Sequence, residues 1–140
     1  MKVNKKLDTA LKTKKFKKVD AVIVEDSDLI RDMYADFAKQ KGRKVDIYES
    51  RVEFLEKLDE YAKDTIIIVN YGFNKTPNGI AASEVLFKKG YANYYMTTSF
   101  TREQFQMEEE LIPLYLRFRV IYKFQDMEKI WQLILGHKVV

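Results

Sequence analysis

From residue 19 onward, short β-branched runs alternate with stretches of helical period five times over, and this alternation leaves few folds open. Parallel strands joined by crossover helices produce it, since each strand is covered on both faces and each helix on one. The first strand reads as 19–25, where Ala21, Val22, Ile23 and Val24 form an apolar run that ends in acids. A helix over 28–41 follows, with Leu29, Ile30, Met33, Tyr34, Phe37 and Ala38 on one stripe and Gly42 as its stop. Residues 44–48 make a second, more amphipathic strand. Ser50-Arg51-Val52-Glu53 reads as a capping box that opens a helix running to about Ala62. Residues 65–69 are the most hydrophobic strand and belong at the sheet centre, with Asn70 at the carboxyl end. Turn formers fill 71–78, and a third helix spans 79–89 up to Gly90. The fourth strand is placed at 91–97, a helix at 102–110 closed by Pro113, an edge strand at 117–122, and a last helix at 126–136. In that helix Met127, Ile130, Trp131, Ile134 and Leu135 are spaced to dock on the sheet.

Composition narrows the chemistry. There is no cysteine and a single histidine, His137, so thiolate and histidine-rich metal sites are excluded. No apolar run approaches the roughly 20 residues that span a bilayer, and the reading is of a soluble, cytoplasmic protein. The net charge of +4 is unevenly spread: residues 1–18 hold eight lysines against Asp8 alone, so the rest of the chain is net negative. The division that follows is a basic N-terminal arm or short helix over 1–18 and one folded domain over 19–140. A like-charged segment of this kind reads first as a solvated arm, with nucleic-acid binding the lesser expectation.

In an open parallel sheet, ligands gather where the strands end. The residues placed there are Glu25 and Asp26, Asn70, Thr98 with Ser99, and Lys123. Two acids after the first strand can hold a hard divalent cation through oxygen, and a hydroxyl and a lysine can hold phosphate oxygens. In this order the motifs Val22-Ile23-Val24-Glu25-Asp26, Ile66-Ile67-Ile68-Val69-Asn70, Tyr95-Met96-Thr97-Thr98-Ser99 and Val120-Ile121-Tyr122-Lys123 resemble the response regulator receiver domain over roughly residues 19–136. The resemblance implies a doubly wound, flavodoxin-like α/β fold of receiver type, with a five-stranded parallel sheet. It places Glu25 and Asp26 at the acidic pocket and Asn70 at the phosphoacceptor position. Thr98 and Ser99 fall at the switch hydroxyl and its neighbour, Lys123 at the phosphate-contacting lysine, and Asp26, Asn70 and the Gly72 carbonyl at the metal site.

The departures from that family carry the functional expectation. An asparagine amide is a poor nucleophile, so no acyl phosphate forms at Asn70, and magnesium loses one ligand charge and binds weakly or not at all. The family's proline after the lysine is replaced by Phe124, and its aromatic switch residue by Val120. Lys123 is then expected to make a structural ion pair with Asp26 or Glu25. The resulting expectation is an atypical receiver that is not an enzyme, has no catalytic residue and requires no cofactor. It would act in two-component signalling by binding a kinase or output protein. By analogy, the partner face or homodimer interface would lie on the fourth helix, fifth strand and fifth helix, with Tyr115, Arg117, Arg119 and Gln125. Two alternatives are a magnesium-dependent phosphatase of haloacid-dehalogenase type using Asp26, and a nucleic-acid-associated protein using the lysine arm.

Overall fold

A computed structural model of the chain describes residues 15–72, 78–106 and 112–137. Its centre is a five-stranded sheet of order β2-β1-β3-β4-β5, parallel throughout. The strands are β1 (Ala21–Val24), β2 (Val45–Tyr48), β3 (Ile67–Asn70), β4 (Tyr94–Thr98) and β5 (Val120–Tyr122). Between them run α1 (Asp28–Gln40), α2 (Arg51–Lys57), α3 (Asn78–Lys88), α4 (Arg102–Gln106), the single turn α5 (Leu114–Arg117) and α6 (Met127–Ile134). This is the doubly wound α/β architecture expected, and β3 is its central strand.

Strand periodicity sorts the core into two layers. Ala21, Ile23, Ile66 and Ile68 turn to one face, where Tyr34 and Ala38 of α1 and Ile130, Leu133 and Ile134 of α6 cover them. Val22, Val24, Ile67 and Val69 turn to the other, under Phe54 of α2 and Ala82 and Leu86 of α3. Because each central strand is apolar on both faces, a shift of one residue would exchange the two layers, and the register is held by both at once.

Several boundaries move. The 28–41 stripe is too wide for the face the sheet covers: Tyr34 and Ala38 are buried, whereas Leu29 and Met33 are 72% and 38% exposed. The second helix ends at Lys57 and continues as a 3₁₀ turn over Leu58–Glu60. β4 starts at Tyr94 rather than 91, and the buried Tyr91 and Asn93 are tied to the segment that precedes β3. The Tyr91 hydroxyl donates to the carbonyls of Leu58 and Tyr61, and the Asn93 amide to that of Asp64. The predicted strand 117–122 is also corrected, since Arg117 ends a helical turn entered from Pro113 and only Val120–Tyr122 pair with β4. Trp131 is half-buried rather than central. It stacks on Phe37 at 4.3 Å, and Leu133 takes the core position.

Most of the predicted arm lies outside the described residues, but its root does not. The Lys17 N–H donates to the Glu60 carbonyl at 2.9 Å, and its ammonium lies 3.8 Å from Asp46 and 3.9 Å from Glu60. Beneath it the buried Tyr61 hydroxyl donates to Asp46, so that its neighbour Tyr48 must donate to Tyr61. This contact sits at the amino-terminal end of the strands, beside a groove of about 550 Å³ lined by residues 16–20 and by Ala62, Asp64, Thr65 and Ile66.

Candidate functional site

At the opposite end of the sheet the strand order reverses between β1 and β3, and a crevice opens where their carboxyl ends diverge. A cavity of about 230 Å³ occupies it, lined among others by Val24, Glu25, Asp26, Glu49, Ser50, Arg51, Asn70 and Gly72. Ser27 and Ser50 cap the helices on either side, accepting from the amides of Ile30 and Glu53. These caps fix where α1 and α2 begin and so hold the crevice walls.

Glu25 follows β1 and is buried, as is Lys123, which follows β5. The Lys123 ammonium lies 2.8 Å from Glu25 Oε2, while Oε1 accepts from the Ser27 amide at 3.3 Å. Between β5 and β1 stand β4 and β3, a separation of roughly 14 Å at three strand spacings, so the two side chains meet by extending across the sheet end. Backbone bonding sets that reach, since the Lys123 N–H donates to the Thr98 carbonyl at 2.8 Å. Burial raises the Glu25 carboxyl above its ordinary value, and the neighbouring Lys123 charge and hydrogen bond pull it back only in part. The Tyr34 hydroxyl, buried nearby, is also pushed up, first by burial and then by the Glu25 charge.

Asn70 is the last residue of β3. Its Nδ2 donates to Asp26 Oδ1 at 2.9 Å, an orientation the acceptor carboxylate dictates. The Oδ1 atom is buried and has no partner among the described residues. Next to this strand end Gly72 has φ 86°, and a Cβ on Gly79 would fall 2.6 Å from the Asn70 carbonyl oxygen and 2.7 Å from Tyr71 Cα. Only glycine lets α3 start this close to the strand end.

Thr98 is fully buried, and its hydroxyl accepts from the Phe100 amide at 3.2 Å, while Ser99 is half-buried. The structure thus brings Glu25 together with Lys123 and Asp26 together with Asn70. Thr98 is tied to Lys123 through backbone.

Of the groups expected to hold a cation, Asp26, Asn70 and Gly72 line one cavity, and Asn70 Oδ1 is buried there without a partner among the described residues. Both oxygens of Glu25 are committed and Asn70 presents nitrogen to Asp26, while Asp26 and Glu49 keep carboxylate oxygens facing solvent. Among the described residues no group of three or more His, Cys, Asp or Glu side chains converges. Arg31 escaped the sequence reading although it braces the site: its Nη1 donates to the Glu25 carbonyl at 2.9 Å, and Nη2 contacts Asp28 and lies 3.7 Å from Glu49. Its place three residues after Asp28, on the capped turn, was the available signal.

On the face expected to meet partners, the polar side chains bond within the domain. Arg117 donates to the Ile112 carbonyl, Arg119 donates to the carbonyls of Ala92 and Tyr94 and stacks over the Tyr94 ring, and Gln125 accepts from the Arg102 amide. These polar groups are engaged within the domain. Leu114, Phe118 and Phe124 are exposed on this face, at 72%, 86% and 67%. Tyr115 stacks on the half-exposed Phe87 with ring centroids 4.3 Å apart. The turn after Lys123 closes with the Gln125 and Asp126 amides on the Tyr122 carbonyl, and Val120 packs half-buried against the core.

Comparison with known proteins adds only fold. No protein-family profile and no curated protein matches the sequence. A solved structure described as a yeast Spc42 trimeric coiled-coil segment fused to another structure superposes with a TM-score of 0.59 at 16% identity. The match covers 85% of this chain and 82% of that one, a likeness of fold alone.

Proposed function

We propose that this chain is an atypical, receiver-like binding module that takes part in signalling by protein–protein interaction and does not accept a phosphoryl group. The observation that carries the reading is what stands at the phosphoacceptor and lysine positions. The residue at the tip of the central strand is an amide hydrogen-bonded to Asp26, and the lysine that would contact a phosphoryl oxygen is ion-paired in the interior with Glu25. An acyl phosphate at a strand-end residue needs a carboxylate oxygen as nucleophile, and the neutral amide of Asn70 is a poor one.

Exposed apolar side chains on and beside α5, namely Leu114, Phe118 and Phe87, supply a surface suited to a protein partner such as a signalling kinase or output protein. The test is intact-mass analysis after incubation with acetyl phosphate and magnesium, run on this chain and on Asn70→Asp. The expected result is no adduct on the unaltered chain. A phosphoryl adduct on the unaltered chain, removed by hydroxylamine as an acyl phosphate is, would refute the reading.

A further inference from the structure

We infer that the crevice between β1 and β3 binds a small aliphatic α-amino acid, holding its ammonium between Asp26 and Asn70 and its carboxylate on Arg51. This goes beyond the receiver-like reading and does not depend on it, since what the crevice takes up is separate from whether the domain accepts a phosphoryl group.

One hydrogen bond in the crevice is unmet. Asn70 is 8% exposed and lines the cavity of about 230 Å³, and its Oδ1 is buried without a partner among the described residues. A buried acceptor left this way calls for a donor. Its identity is fixed, because Nδ2 is spent on Asp26 Oδ1 at 2.9 Å and the atom left over is therefore the oxygen. The same bond leaves the second oxygen of Asp26 open, and among the described residues no cation pairs with that carboxylate. Negative charge beside an unfilled acceptor selects a cationic donor, and an ammonium has three N–H groups to share between the two.

The rest of the lining decides between a bare cation and an organic one. Arg51 is half-buried at the same cavity, and among the described residues its guanidinium has no hydrogen-bond or ion-pair partner. A bare cation at Asp26 would meet that positive charge, whereas a ligand with a carboxylate of its own turns the repulsion into a bidentate pair. The remaining acids are answered within the chain: Glu25 is held by Lys123 and Ser27, and Glu49 lies 3.7 Å from Arg31. What the crevice leaves unmatched is two oxygen acceptors and one guanidinium, the complement of a zwitterion. Val24, Val52 and Val69 supply an apolar wall, which a short aliphatic side chain covers and a hydrated metal ion does not use. The cavity is also smaller than the roughly 300–1,000 Å³ of pockets that take drug-sized ligands, so the amino acid must be a small one.

The experiment is calorimetric titration of the full chain with L-valine, with L-valinamide, which lacks the carboxylate, with isovalerate, which lacks the ammonium, and with magnesium chloride. L-valine is then titrated into Asp26→Asn and Arg51→Gln. On the unaltered chain L-valine should bind with a Kd of about 1 mM or tighter, within reach of so small a ligand. Each analogue should bind about tenfold more weakly or worse, because each forfeits one charge-assisted contact, and each variant should weaken L-valine by a similar factor. Should a variant not fold, the analogue series on the unaltered chain tests the same two poles. No binding of L-valine in the millimolar range overturns the inference, as does either analogue binding as tightly as L-valine, or unchanged L-valine affinity in either folded variant. Magnesium binding without L-valine binding also overturns it and makes the crevice a metal site. A phosphoryl adduct on the unaltered chain would instead sink the functional reading and leave this inference standing.

Discussion

Two lysines of this domain each meet a carboxylate, at opposite ends of the same sheet, and they differ in almost everything else. Lys123 and Glu25 are 0% and 1% exposed and 2.8 Å apart. Lys17 lies 3.8 and 3.9 Å from Asp46 and Glu60, with side chains 46%, 27% and 45% exposed. Water and salt screen the second contact and reach the first hardly at all. A buried pair is costly to break and of little net benefit to possess, because desolvation offsets most of its attraction. An exposed clamp is cheap in both directions. The carboxyl end of the sheet is therefore where single substitutions should be felt, and the amino-terminal end where they should be tolerated.

The harshest way to break that contrast is Lys123→Met. It leaves Glu25 buried without a counter-ion, and we expect a loss of about 3–5 kcal/mol at neutral pH, measured by urea denaturation. The loss should depend on pH in a defined direction. Burial already holds the Glu25 carboxyl above its ordinary value, and removing Lys123 takes away the charge and hydrogen bond that pull it back down. A carboxyl raised in the folded state contributes stability that is full below its unfolded value and is lost as pH rises through the folded one. Lys123→Met should therefore approach the unaltered protein in acid and fall away from it toward neutrality. The double replacement Lys123→Met/Glu25→Leu should lie within about 1 kcal/mol of the unaltered protein or above it, with the pH dependence gone. A single variant as stable as its parent at neutral pH would erase the distinction between the two ends.

A smaller effect tests packing rather than charge. Gly79 lies against the end of β3, where an added Cβ would stand 2.6 Å from a backbone oxygen. Gly42, near the amino-terminal end of β2, has φ 64° and nothing within 4 Å of the same position. Gly79→Ala should cost about 1–3 kcal/mol through forced backbone displacement. Gly42→Ala should cost about 1 kcal/mol, from the left-handed backbone alone. Denaturation midpoints measured side by side would decide. Equal midpoints would mean that the strand end yields as readily as the turn.

Much of this contrast could be read from the chain, and the unread part has identifiable causes. Two-sided apolar runs placed β1 and β3 and put Asn70 at a strand tip, since a strand buried on both faces leaves few other assignments for Ile66-Ile67-Ile68-Val69. The partner of Lys123 stayed open between Glu25 and Asp26. That choice depends on which acid points inward at the end of β1, a matter of one residue in a period of two. Arg117 was misplaced because Arg117-Phe118-Arg119-Val120 alternates like a half-buried strand, while the turn after Pro113 is too short to show helical period. Arg117 and Arg119 are bonded to backbone carbonyls, which no local pattern reveals. Leu29 and Met33 were assigned inward because six apolar residues along one helix leave no sign of where the covering sheet stops.

The mildest perturbation separates the two lysines most cleanly. Lys17→Ala removes an ammonium held between two partly solvated carboxylates, and its cost should not exceed about 1 kcal/mol at low salt. Salt supplies the discriminating axis. At 1 M the screening length is about 3 Å, shorter than either Lys17 contact, so the difference between Lys17→Ala and the unaltered protein should vanish. The difference made by Lys123→Met should persist, because counter-ions cannot enter the space between Lys123 and Glu25. Tyr61→Phe extends the comparison: it removes the hydroxyl that orients Asp46 from within the core, and in doing so strands the Tyr48 hydroxyl. Its cost should therefore exceed that of Lys17→Ala and resist salt, although all three residues belong to one surface contact. If Tyr61→Phe were instead abolished by salt along with Lys17→Ala, the hydroxyl pair would be part of the screened clamp, and the boundary between the two regimes would lie deeper in the domain than the exposures place it.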